Sequence, residues 1–240
     1  MTQPSYFISD LHLSPNDSAT VLAFQQFMST TARDAERLYI LGDLFEYWFG
    51  DDQLEDAFYA EQVAHIAAVA KSGVDIYFMG GNRDLLISKR FARAAQLTLL
   101  PDPTLIELQG QSIILAHGDL YCTDDVAYQR YRRLAHNRIV QFIWLNLPKK
   151  VRDQQINNLR NKSKKANQNK DKMIMDVNAQ AIEKALKQST AKILIHGHTH
   201  RPAQHQHENG IRWVLPDWQD GRGGYLSCIG GLIYIDIGTT

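Results

Sequence analysis

The chain has 240 residues, 44% of them hydrophobic, and a formal net charge of zero. That is ordinary globular composition, long enough for one large domain or a domain carrying a lid. No run of eighteen apolar residues is present, which argues against a transmembrane helix. The first predicted strand begins within a few residues of the N-terminus, so no signal peptide is expected. Cys122 and Cys228 are too few and too far apart for a disulfide framework or zinc knuckle, and a cytoplasmic setting is expected.

In chain order, a strand at Pro4–Ser9 precedes a helix opening near Asn16 or Asp17 that carries Val21, Leu22, Phe24, Phe27 and Met28. A strand at Arg37–Leu41 leads to a helix with Phe58, Val63, Ile66, Ala67 and Ala70, ending near Gly73. Apolar positions at intervals of three to four residues are the helical period. The strand Val74–Met79 precedes a short helix at Ser88–Ala95, and Thr104–Leu108 with Ser112–Ala116 reads as a hairpin turning at Gln109-Gly110. The alternation then breaks. Thr123–Leu147 is a long helical candidate ended by Pro148, and Lys149–Lys172 is polar, basic and rich in Asn and Gln. Helical periodicity resumes at Met173–Leu186, followed by the strand Lys192–Ile195. Strands at Arg212–Leu215, Gly224–Cys228 and Leu232–Ile237 are expected to complete a second sheet. The simplest architecture is α/β: a two-sheet αββα sandwich built from residues 1–122 and 173–240, with a helical, basic lid insertion at 123–172. The zero net charge hides an asymmetry centred there. Arg130–Lys172 holds 13 Lys or Arg against two acids, so that segment is +11 and the remainder −11, which signals a partner.

Five clusters of metal-binding residue types lie at the ends of apolar strand runs. They are Asp10-Leu11-His12, Gly42-Asp43, Gly80-Gly81-Asn82-Arg83-Asp84, His117-Gly118-Asp119 and His196-Gly197-His198-Thr199-His200. Each alone has a structural explanation: Asp after a strand suits a turn or helix cap, and Gly and Asn tolerate left-handed backbone. Their conjunction at strand ends, where open α/β sheets assemble ligand sites, points instead to a metal centre. Carboxylate, imidazole and amide donors without thiolate suit a hard or borderline divalent ion such as manganese, and there are donors enough for two. A two-ion site needs a carboxylate shared between the ions, and Asp43 is the natural bridge. Asp10 and His12 would hold one ion, Asn82 and His117 the other, with His198 and His200 each facing a different ion. His196 should lie on its strand as a hydrogen-bonded core residue, and His65, His136, His205 and His207 carry no motif. Trp48 and Phe49, beside Gly50-Asp51-Asp52, are candidates for the site mouth.

The order D-x-H, G-D, G-N-x-D, H-G-D, G-H-x-H resembles the calcineurin-like metallophosphoesterases. The strings Ile8–Leu13, Tyr39–Glu46, Gly81–Asp84, His117–Asp119, Cys122–Asp125 and Ile195–Pro202 are closest to the UDP-2,3-diacylglucosamine diphosphatase family within them, over about Tyr6 to Trp218. The resemblance implies seven metal ligands, Asp10, His12, Asp43, Asn82, His117, His198 and His200, holding two manganese ions. It implies substrate contacts at Asn82, Arg83, Asp125, Ser163, Asn167, Lys170 and His198, with Arg83 and a metal-bound water as the catalytic groups. The implied reaction is hydrolysis of UDP-2,3-diacylglucosamine to UMP and 2,3-diacylglucosamine 1-phosphate (lipid X), by water attacking the α phosphate, in lipid A biosynthesis. The implied location is peripheral, on the cytoplasmic face of the inner membrane.

Arg83 supports the same reaction on physical grounds. Its guanidinium cannot donate a proton at neutral pH but grips phosphate oxygens bidentately, and a phosphate leaving group, with a second pKa of about 6, needs little protonation. The competing reading is a surface Arg paired with Asp84. In the insertion, Ile139, Val140, Phe142, Ile143, Trp144, Leu145 and Leu147 are flanked by Arg130, Arg132, Arg133, Arg138, Lys149 and Lys150. A basic amphipathic helix of this kind suits an anionic lipid surface, although packing of the lid on the core would use the same pattern. The alternative is a nuclease or nucleotide phosphodiesterase of the same fold, its +11 segment gripping nucleic-acid phosphates. Aliphatics interleave the basic residues and few aromatics are placed to stack bases, so no nucleic-acid partner is expected. A non-catalytic scaffold of the same fold would be expected to have lost ligands.

Overall fold

The computed structural model describes residues 3–156, 158 and 176–237. Two sheets lie face to face. The first has six strands in the order β11-β10-β1-β2-β3-β4, and the second five in the order β5-β6-β7-β9-β8. In the first sheet β1 (Ser5–Ile8), β2 (Arg37–Ile40), β3 (Asp75–Met79) and β4 (Thr98–Leu100) run parallel. The helices α1 (Ser18–Ser29), α2 (Ala57–Lys71) and α3 (Lys89–Ala95) connect them. In the second sheet β5 (Thr104–Leu108) and β6 (Gln111–Ala116) form the expected hairpin, and β6, β7 (Ile193–His196) and β9 (Ile211–Val214) run parallel.

Burial shows why the strands read as continuous apolar runs: every residue of β1 is buried, because both faces of a parallel strand are covered. One core fills the space between β1 and the helices, including Phe24, Phe27, Val63, Ile66, Phe78 and Phe91. A second lies between the sheets around Phe7, Leu41, Leu115, Ile195 and Leu226. A third joins the outer face of β6 and β7 to α7 (Ala179–Gln188) through Ile114, Leu194, Ile182 and Leu186. The layers are therefore α, β, β and α, as expected.

The details differ in five places. β10 (Gly223–Cys228) and β11 (Leu232–Ile237) join the first sheet, not the second, with β10 antiparallel to β1 and Phe7 opposite Leu226. Trp218 fastens the crossing: its amide donates to the Asp10 carbonyl at 3.0 Å and its indole to the Gly224 carbonyl at 3.1 Å. β8 (Ala203–Gln206) is an edge strand whose polar Ala-Gln-His-Gln sequence carries no apolar signal. The long helix expected at Thr123–Leu147 is two, α4 (Val126–Ala135) and α5 (Arg138–Leu145). Asn137 divides them, because its side chain accepts from the amides of Ile139 and Val140 and so caps a new helix. The helix expected from Met173 opens at Ala179, where Asn178 caps it, and residues 173–175 lie outside the described residues. A further helical stretch, α6, is described from 149 to 156.

Candidate metal centre

The first two clusters are aligned by backbone bonds that continue the β1–β2 pairing past the strand ends. Asp10 N donates to Gly42 O at 3.1 Å, His12 N to Asp43 O at 3.0 Å and Leu13 N to Leu44 O at 2.9 Å. The chain must bend sharply to turn these side chains inward. Asp10, His12, Asp43, His198 and His200 all have positive φ, between 49° and 70°. A left-handed non-glycine residue is uncommon, and five among the expected ligands mark a backbone held in place for function. Gly42, at φ 92°, leaves no room for a β-carbon, which would meet Gly81 and the His117 ring.

Asp10 is fully buried. Its Oδ2 accepts from the Ser9 hydroxyl at 2.6 Å and the His198 amide at 2.7 Å, while Oδ1 has no hydrogen-bond partner. An orphaned buried carboxylate oxygen is costly and here faces a ring of donors. His200 Nε2 lies 3.4 Å from it and His12 Nε2 4.0 Å from it. Two sets of ligand atoms lie within metal-sharing distance, Asp10–His12–His200 and Asp10–Asp43–His117. Asn82 Oδ1 is 3.0 Å from His117 Nε2, and the His117 and His198 rings are 5.0 Å apart. Five of the expected ligands fall in these sets, and Asn82 and His198 lie beside His117. The carboxylate common to both sets is Asp10; Asp43, expected as the bridge, falls in the second.

Two of the four imidazoles, His117 and His200, are oriented by a close partner on the other nitrogen. His117 Nδ1 meets the Leu41 carbonyl at 2.9 Å, His200 Nδ1 meets Asp217 at 3.3 Å, and His12 Nδ1 lies 3.6 Å from Glu46. Such outer partners fix which nitrogen faces an ion. The electrostatics suit a dication. Burial pushes Asp10 upward, but His200, His117 and His12 outweigh it and hold the carboxyl well below the usual range. Burial lowers His117, yet Asp43, Asp10 and Asp119 carry it up to about 9. Desolvation likewise opposes His200, but the closeness of the Asp10 and Asp217 carboxylates carries it up to about 10. Asp43 is pushed up to about 7, by burial against His117, with Asp84 and Asp10 adding to the rise. Burial, with Arg83, lowers His12 to about 3, and burial, with His117, lowers His198 to about 4, so those two rings are unprotonated donors, and divalent metal would replace the protons on the other two.

Arg83 Nη1 pairs with Glu46 at 2.8 Å and its Nε lies 3.7 Å from Asp43. It is not paired with Asp84, which is fully buried and accepts from the amides of Asp43, Leu44 and Gly81. Asp125 caps α4 by accepting from Tyr128 N at 2.9 Å. Ser163, Asn167 and Lys170 lie outside the described residues. His196 is the expected core residue: buried on β7, with Nδ1 2.7 Å from Gly197 O and Nε2 3.2 Å from Arg212. Trp48 is buried among Phe45, Tyr59 and Phe91 rather than at a mouth. Phe49 instead receives the insertion, its carbonyl accepting from Trp144 at 3.2 Å and Arg152 at 2.6 Å.

Several site residues had no sequence signal. Tyr128 donates to Asp119 at 2.6 Å and stacks over His198 at 6.1 Å. Arg132 bonds both Asp119 and Asp102 at 2.9 Å, and Asp102 also accepts from His117 N at 3.1 Å. Nothing in local pattern distinguishes these from surface residues of a basic helix. Glu46 closes the Tyr39–Glu46 motif, so its neighbourhood was visible; Asp217 lies outside every motif.

Comparisons with known proteins agree with this geometry. A family model described as calcineurin-like phosphoesterase matches residues 4–202. A UDP-2,3-diacylglucosamine hydrolase from Aromatoleum aromaticum is 48% identical over 89% of each chain. Another, from Haemophilus influenzae, is 47% identical over 90% of each, and one from Ralstonia nicotianae is 42% identical over 96% of this chain and 91% of its own. Among solved structures, a novel archaeal phosphodiesterase shares the fold at a TM-score of 0.50 over 98% of both chains, at 11% identity.

Proposed function

Because this chain belongs to the calcineurin-like phosphoesterase family, we propose that it hydrolyses the pyrophosphate bond of UDP-2,3-diacylglucosamine, releasing UMP and 2,3-diacylglucosamine 1-phosphate. The observation that carries the substrate is 42–48% identity, over about nine-tenths of the chain, to relatives that bear that activity in their names. The site's donors fit the chemistry: four imidazoles, two carboxylates and an amide converge with no thiolate.

Asp10, His12, Asp43, Asn82, His117, His198 and His200 would hold two manganese ions. When bound, such ions activate a water and neutralise charge on the attacked phosphate. The protein's own contributions follow from the geometry. Asp217 and the Leu41 carbonyl aim Nε2 of His200 and His117 into the centre. Arg83 stands beside Asp43, placed to grip phosphate oxygens, and its permanent charge suits a leaving phosphate that takes no proton from it. Asn82, Arg83 and His198 would meet the phosphates, and Asp125, Ser163, Asn167 and Lys170 the sugar half.

The insertion, 123–172, would receive the acyl chains and rest on anionic lipid. Leu134, Ile139, Phe142 and Ile143 are 58–70% exposed there, beside the basic residues. Burying an acyl methylene contributes about 0.8 kcal/mol. That exposed apolar surface favours a lipid over nucleic acid. None of the described helices is long and apolar enough to cross a membrane, so attachment would be peripheral, at the cytoplasmic face of the inner membrane. The test is direct: incubate the purified chain with manganese and the UDP-lipid and identify both products by mass spectrometry. Absence of UMP and the lipid 1-phosphate would overturn the reading.

A further inference from the structure

A groove of about 290 Å³ opens beside the metal centre, lined by His12, Ser14, Asn16, Glu46, Asp217 and Gln219 among others. We propose that it is the nucleoside subsite, taking the ribose on Glu46 and Asp217 and an imide base such as uracil on the amides of Asn16 and Gln219. The proposal rests on the functional reading above and assigns the half of the substrate that no motif addresses.

Position is the first argument. The donor cluster has two ends. At one, His198 lies under Tyr128 of the insertion. At the other, His12 and His200, with ring centres 5.2 Å apart, form the floor of the groove. The nucleoside and the leaving lipid phosphate are separate substituents on the attacked phosphorus and extend in different directions from it. With Tyr128 of the insertion over His198, the groove at the His12 end is left for the nucleoside.

Chemistry is the second. The groove wall is polar, and its aromatic member, Trp218, is only 2% exposed. Acyl chains would gain little there. Its two carboxylates are held in place, Glu46 by Arg83 at 2.8 Å and Asp217 by His200 at 3.3 Å. Fixed carboxylates accept hydroxyl protons well and repel phosphate, so they suit ribose and keep the phosphates at the metal ligands. An imide presents N–H between two carbonyls, and a primary amide offers the matching donor and acceptor. The side-chain amides of Asn16 and Gln219 have no partner among the described residues; their recorded bonds are through the backbone. The volume, near the lower end of ligand pockets at about 300 Å³, suits one nucleoside.

The test is calorimetric titration of UMP, AMP and the lipid 1-phosphate into the manganese-loaded full chain and into an Asn16→Ala/Gln219→Ala variant. UMP should bind the parent protein more tightly than AMP, and the variant should weaken UMP about tenfold, the scale of one or two lost hydrogen bonds. Binding of the lipid 1-phosphate should change less than twofold. The proposal is overturned if UMP and AMP bind alike, if the variant binds UMP as the parent does, or if both products weaken together. Failure of the functional reading appears separately, as no cleavage of the UDP-lipid by the parent protein.

Discussion

Arg132 Nε donates to Asp119 Oδ2 at 2.9 Å, and this bond ties the insertion to the metal-binding strand ends. Asp119 lies two residues past His117, and the same guanidinium reaches Asp102, which holds the His117 amide. The side chains of Asp119 and Asp102 are 2% and 7% exposed, so loss of Arg132 would strand two buried carboxylates. Arg132→Met should cost about 3 kcal/mol in stability, measured by denaturant unfolding, and should lower turnover as His117 loosens. Arg132→Lys should recover little, because an ammonium cannot present the two-pronged geometry. Parent-like stability in both variants would contradict this role.

The pH dependence has a definite sign. Burial pushes Asp119 upward, but His117, His198, Arg132 and the Tyr128 hydroxyl outweigh it and hold it down at about 2. A depressed folded-state pKa stabilises the protein above the unfolded value of about 3.9, and that stability is lost as pH falls through the folded value. Unfolding free energy measured between about pH 4 and pH 2 should therefore fall. In Asp119→Asn, the slope over that window should be shallower; an unchanged slope would remove Asp119 from the account.

Asp43 is tested at the metal centre. Asp43→Ala should lose activity by several orders of magnitude and bind less metal, measured by elemental analysis beside turnover. Asp10→Ala should lose more metal, because Asp10 belongs to both ligand sets. Near-normal turnover with unchanged metal content in Asp43→Ala would defeat the two-metal reading.

Hydrolysis in heavy-oxygen water locates the attack. With Arg83 and the metal ligands engaging the phosphate next to uridine, the label should enter UMP. Label in the lipid phosphate would reverse the orientation.

The insertion's apolar face is separable from its packing. Phe142 is 69% exposed, whereas Trp144 donates to the Phe49 carbonyl at 3.2 Å. Phe142→Ser should thus lower kcat/KM on the diacyl substrate relative to bis(p-nitrophenyl) phosphate with little change in melting temperature. Trp144→Ser should also lower melting temperature. Equal loss on both substrates in Phe142→Ser would assign Phe142 to the fold instead.

The parallel core and its candidate metal ligands were legible because two short-range signals coincide there. Runs such as Phe7-Ile8 and Leu38-Tyr39-Ile40-Leu41 are apolar on both faces, and each ends in a ligand type within a few residues. Strand ends in such sheets converge, so order along the chain became proximity in space. Tertiary structure alone decided what has no local periodicity. β10 pairs with β1, with Trp218 fastening the chain where it crosses the sandwich. Asp10 came to stand beside both groups of donors because Ser9 and the His198 amide occupy one of its oxygens and leave the other facing them. Arg132 and Tyr128 look like ordinary residues of a basic helix until that helix docks beside Asp119. Sequence determines which side chains can bind metal and which strands can carry them. Their mutual distances, and the partners that aim each one, depend on contacts between residues up to nearly two hundred positions apart, such as Asp10 with His200.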